Sequence, residues 1–527
     1  MRDRPSGRSR PERSVGETVV TAPVASSAAS RSATDGPTIV CRMDDDLARL
    51  QSGLAAAYAV NTATSTTPHT VVVLPSYSVS ESLLSHYANR LAPLEHRFLL
   101  ALFLLRLPTA RILFVCSAAP DDSVVDHYLS LLPAALVAGA RERFRIVVVD
   151  DSSARAVASK LLDRPDVIDE MRAWIGDTPA FIEPWNVTDL EVELALRLGL
   201  PINGTPPDLW PLGFKSAGRK TIRGAGVPVP HGFEDLRSVD DAVDAIDRIR
   251  GVDPDLGAVV LKHDDSGAGD GNAVIRVDDL EPPGSAMSRR RLRSRINRLE
   301  AWYLADLGRG FIVEAMVAGT RFSSPSAQVD VMPEGSVRVV STHEQIMDES
   351  GQVYLGCRFP ADPAYAGDLG AHARAVGEAL ARHGAIGRLG IDFVTSADEQ
   401  RPWDIHALEI NLRRGGTSHP FAVLRHLAPG AYDERAGRYV DDRGDTKSYV
   451  ASDNLVDERW TGLAERTVLQ ALQSSDLAFD RETRTGVVPH MLSCLAIDGR
   501  FGITAIGSTS DHAEELYAAT REAVLQT

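Results

Sequence analysis

The chain has 527 residues, room for about three domains, and its 44% hydrophobic and 24% charged residues describe a protein with a sizeable core. A formal net charge of -16 argues against a general ligand of nucleic acid or anionic membrane, because those need positive faces; a local basic pocket for a small anion stays open. The four cysteines, Cys41, Cys116, Cys357 and Cys494, lie far apart without a C-x-x-C pair, so reduced buried thiols are expected rather than a disulfide framework or a zinc site.

In chain order, residues 1–36 are rich in Ser, Ala, Arg and Pro and read as a disordered tail without an apolar signal core. The longest apolar run, FLLALFLL, is far short of the roughly 20 residues of a membrane span, and the cytoplasm is the expected compartment. Residues 37–212 read as an α/β domain. TVVVLPSYS is a strand entering a loop, ESLLSHYANRLAPLEHRFLLALFLLRL a helical stretch broken at Pro93, and ARILFVCSAAP a second strand. DSVVDHYLSLLPAAL is a helix and RFRIVVVDD a third strand, an alternation that predicts a parallel sheet. LEVELALRLGL adds a helix stopped at Gly199.

Residues 213–430 mix helices with antiparallel strands and read as α+β. GFKSAGRKTIRGAG is a short helix. GAVVLKHDDSGAGDGNAVIRV is two strands joined by a Gly-rich loop. GAHARAVGEALARHG is a helix ended by Gly384, and IGRLGIDFVTS and DIHALEINLR are strands. Residues 431–527 form a third, small α+β segment ending in a helix.

The chemistry concentrates in ALEINLRRGGTSHPF. Alternation along a strand puts Glu409, Asn411 and Arg413 on one face and Leu408, Ile410 and Leu412 on the other. A carboxylate and an amide oxygen side by side are hard ligands suited to Mg²⁺, Asp392 on the preceding strand is a third, and Arg413 suits a phosphate or carboxylate. A solvated strand face is the competing reading. Lys262 ends its strand before Ser266, Gly267, Gly269 and Gly271, where glycine amides can approach phosphate oxygens. This is neither a Walker loop nor a Rossmann fingerprint, and a flexible hairpin tip competes. Lys215 and Glu314 each carry little weight alone.

In this order and spacing the pieces resemble the ATP-grasp superfamily over about residues 213–430. Further segments, among them LPSYSVS, PWNVTDLEVELALRLGLPINGTPP, STHEQIM, INLRRGGTSHPF and TGVVPHMLSCL, resemble the pheganomycin-type peptide ligases across most of the chain. The resemblance implies an N-terminal α/β pre-ATP-grasp domain, an ATP-grasp core of two α+β subdomains and a small C-terminal α+β domain. It implies ATP and Mg²⁺ as cofactors, with Lys215 and Lys262 as phosphate-contacting lysines and Ser266 and the Gly loop folded over the phosphates. Glu314 precedes a hinge, Ala315 to Val317, whose backbone meets adenine; Asp392, Glu409 and Asn411 hold Mg²⁺, and Arg413 steadies an acyl-phosphate. Arg321 stands where many members place an acidic ribose ligand.

The implied reaction joins a small carboxylate to an amine or peptide acceptor through an acyl-phosphate, with release of ADP and phosphate, in peptide natural-product assembly. A non-amine acceptor and a nucleotide-binding non-enzyme are the alternatives. His343 is assigned the amine proton, with a structural hydrogen bond as its alternative, and Gln345 a phosphate oxygen. Gly415, Gly416 and Thr417 are candidates for an anion nest and His419 for a helix cap. His490 is read as structural, and the basic run 288–298 as a solvated helix face. No nucleic-acid or membrane partner is expected, and a homo-oligomer stays open.

Overall fold

The computed structural model describes residues 45–266, 271–348, 354–398 and 401–525. The β-branched runs near the N-terminus form a parallel four-stranded sheet in the order β3-β2-β1-β4. Its strands are β1 (His69–Leu74), β2 (Ala110–Cys116), β3 (Phe144–Val148) and β4 (Ala180–Pro184). Every residue of β1 is buried, as continuous apolar runs in a helix-covered parallel sheet should be. Thr188 and Glu191 close a capping box on the helix Asp189–Leu198, which ends at left-handed Gly199.

Pro93 does not break its segment as expected. It sits in the first turn of the helix Leu91–His96, where a missing N–H costs no helical bond. The run behind it, Arg97–Arg106, is a ten-residue 3₁₀ helix.

The strand order changes direction beside β1, and the loops leaving β1 and β4 meet there. Ser78 N–H donates to Asn186 Oδ1 (3.2 Å), Asn186 Nδ2 donates to the Ser78 carbonyl (2.8 Å), and the Ser78 hydroxyl donates to Glu191 (2.5 Å). All three residues are buried, so the network is satisfied and stiff. It presents Tyr77 and Trp185 side by side, ring centroids 4.6 Å apart.

A second sheet, β5-β8-β6-β7, is built from β5 (Gly232–Leu236), β6 (Ala258–His263), β7 (Asn272–Arg276) and β8 (Phe311–Ala315). The helices Val239–Val252 and Ala286–Ile296 share its apolar cluster. The third sheet runs β14-β13-β10-β11-β12-β17-β16-β15. It contains β9 (Arg321–Ser323), β10 (Pro325–Val331), β11 (Val337–Met347), β12 (Tyr354–Phe359), β13 (Gly387–Asp398), β14 (Arg401–Asn411), β15 (Gly430–Asp433), β16 (Arg438–Asp441), β17 (Thr446–Val456), β18 (Gly486–His490) and β19 (Arg500–Gly507). The helix Ala366–Arg382 packs its apolar stripe on this sheet. The segment after residue 430 builds no sheet of its own: β17 pairs with β12 in register Gly356↔Ser452, so core and C-terminal strands are continuous. Cys116, Cys357 and Cys494 are free buried thiols; Cys41 and the expected tail 1–36 lie outside the described residues.

Candidate active site

The sequence of β14 carries two apolar phases, Ile405 with Ala407 and Ile410 with Leu412. Unbroken alternation from the first pair would turn Glu409 and Asn411 into the core. A bulge between Asp392 and Phe393 absorbs Leu408, so all four apolar residues enter one cluster and Glu409 comes directly opposite Asp392. Leu408, expected on the apolar face, is half-buried outside that cluster.

Five expected residues meet on the opened face. Asn411 Nδ2 donates to Asp392 Oδ2 (2.8 Å) and reaches Glu409 Oε1 at 3.5 Å, and Gln345 Nε2 donates to Asp392 Oδ1 (2.8 Å). Lys215 Nζ ion-pairs with Glu409 and donates to the Ser266 carbonyl at 3.1 Å. Burial and the neighbouring Glu409 charge push the Asp392 carboxyl up. Burial also works against the Glu409 charge, but the Lys215 ammonium outweighs it and holds Glu409 below the usual carboxylate range. Two facing carboxylates and a side-chain amide here gather their oxygens on one face. They fit a hard divalent cation, with the Asn411 oxygen available once its amide flips.

A second cluster lies in the sheet beside it. Lys262 Nζ is 2.5 Å from Glu314 Oε1, and Arg219 Nη1 is 2.5 Å from Glu314 Oε2. Arg219 also donates to Glu234 (3.0 Å) and the Pro230 carbonyl (2.7 Å), and it is 1% exposed. Sequence reasoning missed it, although Lys215-x-x-x-Arg219 is the spacing that stacks two cations on one helix face. It also missed Asp264, whose carboxylate accepts Ser216 N–H (2.9 Å) and whose carbonyl accepts Lys215 N–H (3.0 Å), fixing the helix start. Glu314, expected at the nucleotide, is 2% exposed and engaged by these cations. The hinge amides of Ala315 and Met316 donate to the His231 and Ala258 carbonyls; Val317 follows the end of β8. Ser266 hydroxyl donates to the His263 carbonyl (2.9 Å) and abuts Gly271, leaving no room there for a side chain. Gly267 and Gly269 lie outside the described residues, as do 349–353 of the expected lid.

His343 does not join the group. Its ring is 0% exposed, Nε2 is 2.6 Å from the Tyr449 hydroxyl, and it packs against the stacked rings of Phe359 and Tyr449. Burial pushes it down to about 3. Register places it in the row of Ser326 and Asp392, but β12 and β17 wall it off, and the expected proton acceptor is a core hydrogen-bonding group.

Arg413 lies beyond β14, its guanidinium 4.9 Å over the Trp185 ring, and Nη1 donates to the Arg414 carbonyl (3.1 Å). Arg414 ion-pairs with Glu183 and donates to the Pro184 carbonyl (3.1 Å), seating the loop against the N-terminal sheet. A cavity of about 30 Å³ opens here between Arg97, Trp185, Arg414, Gly415, Ser418 and His419. The expected anion nest is partly closed, since Gly415 N–H donates to the Ser418 hydroxyl (3.1 Å) and Gly416 abuts the Tyr354 ring. His419 is not the cap residue, which is Thr417; it lies inside the helix Ser418–Leu427. Arg321 stacks over Trp403 at 4.8 Å. In the basic run, Arg289, Arg291, Arg293 and Arg295 pair with acidic side chains, as a solvated face does.

Residues 297–433 match the IQCH-like ATP-grasp family, and residues 467–520 match the PGM1 C-terminal domain. The L-propargylglycine–L-glutamate ligase of Streptantibioticus cattleyicolor is 30% identical over 433 residues, 80% of this chain and 87% of that protein. IQ motif-containing protein H of Danio rerio is 22% identical over 349 residues, 56% of this chain and 33% of that protein. Among solved structures, the ADP complex of an N5-carboxyaminoimidazole ribonucleotide synthetase superposes with a TM-score of 0.50 at 13% identity, covering 87% of this chain and 97% of its own. A nucleotide complex of biotin carboxylase from Campylobacter jejuni also gives 0.50, at 12% identity, covering 87% and 94%. At these identities the two structures share the fold.

Proposed function

The chain belongs to the ATP-grasp ligases, and from that membership we propose that the face carrying Asp392, Glu409 and Asn411 is where it activates a carboxylate with ATP for attack by an amine. The facing pair Asp392–Glu409, with Lys215 on one side and Gln345 on the other, is the observation that carries this reading. The protein is an ATP-dependent ligase that forms C–N bonds. In the reaction a carboxylate oxygen attacks the γ-phosphorus, the bond to the bridging oxygen breaks, and ADP leaves with that electron pair. The amine then attacks the acyl carbon, loses a proton, and phosphate leaves with the C–O electron pair.

Asp392, Glu409 and the Asn411 oxygen would hold Mg²⁺, which when bound draws charge off the phosphate oxygens. Lys215 exchanges its ion pair with Glu409 for a phosphate oxygen. Lys262, held at the end of β6 by Glu314, supplies a second positive charge from the same cleft. Arg413, steadied by Trp185, orients the carboxylate that becomes the acyl-phosphate. Ser266 and Gly271, beside Lys262 at the end of β6, help keep water from the acyl-phosphate. The named substrates of the Streptantibioticus cattleyicolor relative are both amino acids. That supports a small amino-acid donor and an amino-acid or peptide acceptor here, in peptide natural-product assembly.

The test is Mg²⁺-dependent ADP release across a panel of amino-acid pairs, with Glu409→Gln beside the wild type. ADP appears when donor and acceptor are both present, and the variant loses about 10³-fold or more in turnover while its melting temperature stays near that of the wild type. A fully active Glu409→Gln would overturn the assignment of this face.

A further inference from the structure

Two histidines left without a chemical role by the ligase reading meet in the interior. His419 comes from the helix after the site loop, Asp453 from β17 and His490 from the end of β18. His490 Nε2 is 2.7 Å from Asp453 Oδ1, His419 Nε2 is 3.4 Å from the same oxygen, and the two Nε2 atoms are 3.1 Å apart. Both rings are buried.

Hydrogen bonding alone leaves this arrangement short of a donor. One proton serves His490 Nε2 and Asp453 Oδ1. The His419 Nε2 lone pair then faces a nitrogen whose proton is already committed. If His419 instead carries hydrogen on Nε2, its Nδ1 turns a buried lone pair toward the Gly416 backbone, where the ring should donate. A cation accepting three lone pairs satisfies all three atoms at once. Ligands about 2.0–2.1 Å from a tetrahedral metal stand roughly 3.3 Å apart, close to two of the three separations.

Arg97 narrows the choice of metal. Its Nη1 donates to Asp453 Oδ2 at 2.5 Å and its Nη2 to the Tyr77 hydroxyl at 2.9 Å, orienting the carboxylate as outer-shell partners of ligands do. Its charge opposes any cation, which disfavours a weakly held oxygen-seeking ion such as Mg²⁺, while two imidazoles suit Zn²⁺. His419 and Arg97 also line the cavity of about 30 Å³, which has room for a water as fourth ligand.

We propose that His419, Asp453 and His490 form a binding site for a borderline divalent cation of the Zn²⁺ class, separate from the Asp392–Glu409 face. Its ligands come from the core helix and two C-terminal strands, and its outer partner Arg97 from the N-terminal part. Such a site fixes the loop 412–418 beside Arg413.

The full chain, stripped with a chelator and then held in saturating Mg²⁺, is titrated with Co²⁺ in the absence of nucleotide. One equivalent of Co²⁺ binds with the strong visible absorption of a tetrahedral site, and Zn²⁺ displaces it. His419→Ala and His490→Asn each weaken binding by about tenfold or more, and Zn²⁺ raises the melting temperature of the wild type but not of the variants. Failure of the wild type to retain Co²⁺ against Mg²⁺ overturns the proposal without any variant having to fold. Unchanged absorption in both variants overturns it as well. The titration contains no substrate, so its failure leaves the ligase reading standing, and loss of ADP release leaves this site standing.

Discussion

Arg219 shows how much one side chain carries. It is a buried guanidinium shared by Glu234, Glu314 and a backbone carbonyl, and it braces the carboxylate that places Lys262. Removing one partner of a buried ion pair strands the other, so Arg219→Ala should cost about 3–5 kcal/mol, read as a lower urea midpoint with an unchanged slope. His343 makes a prediction about acid. Its ring is held neutral in the fold down to about 3, whereas the unfolded chain takes up that proton near 6.5. Between those values the unfolded state binds more protons, so stability rises with pH, is fully present above about 6.5 and is lost as pH falls toward about 3. His343→Phe should flatten that part of the acid slope in urea midpoints measured from about pH 4 to 7, at some cost from the unpaired Tyr449 hydroxyl. It should leave the pH profile of turnover in place; a lost acidic limb would restore His343 as a proton acceptor.

At the scale of elements, the helix Ala286–Ile296 carries a dense run of positive charge, and most of its arginines are spent on neighbours. Arg293 pairs with Asp240, and Arg289 with Asp244 and Asp247. The wild type should therefore pass a polyanion column at physiological salt. Asp240→Asn with Asp244→Asn should be retained there, with less than about 1 kcal/mol change in stability, because these pairs are exposed. Retention of the wild type would make the helix a polyanion-binding surface. Such helices, the parallel sheet and the Glu-x-Asn strand were legible because each rests on a local pattern: caps, β-branched runs, a Gly stop. The bulge at Leu408 was not, because Ile405, Ala407, Ile410 and Leu412 belong to two phases and only the partner strand shows which residue is extra. Trp185 was visible as a letter in PWNVTD, but its place over Arg413 depends on a contact across 228 positions of chain.

Across the whole molecule, the described C-terminal strands are built into the core. β17 pairs with β12 and β19, and one apolar cluster runs from Phe103 and Tyr128 through Phe359 to Val487 and Phe501. The Tyr128 hydroxyl donates to the Pro489 carbonyl (2.8 Å). A chain ending at 430 should therefore lose cooperative unfolding and aggregate, since it bares the edge of β12 and half of that cluster. A monomeric product with one sharp transition would show that the core stands alone. This fused sheet also governs how such ligases diversify. Gly356 leaves no space for a side chain because the Ala451 carbonyl and the Ser452 backbone press against it, so a tail acquired by gene recombination fits only where β12 keeps that glycine. Crossovers that carry β12 together with its tail are the viable ones, and inherited specificity should travel in blocks that begin before that strand.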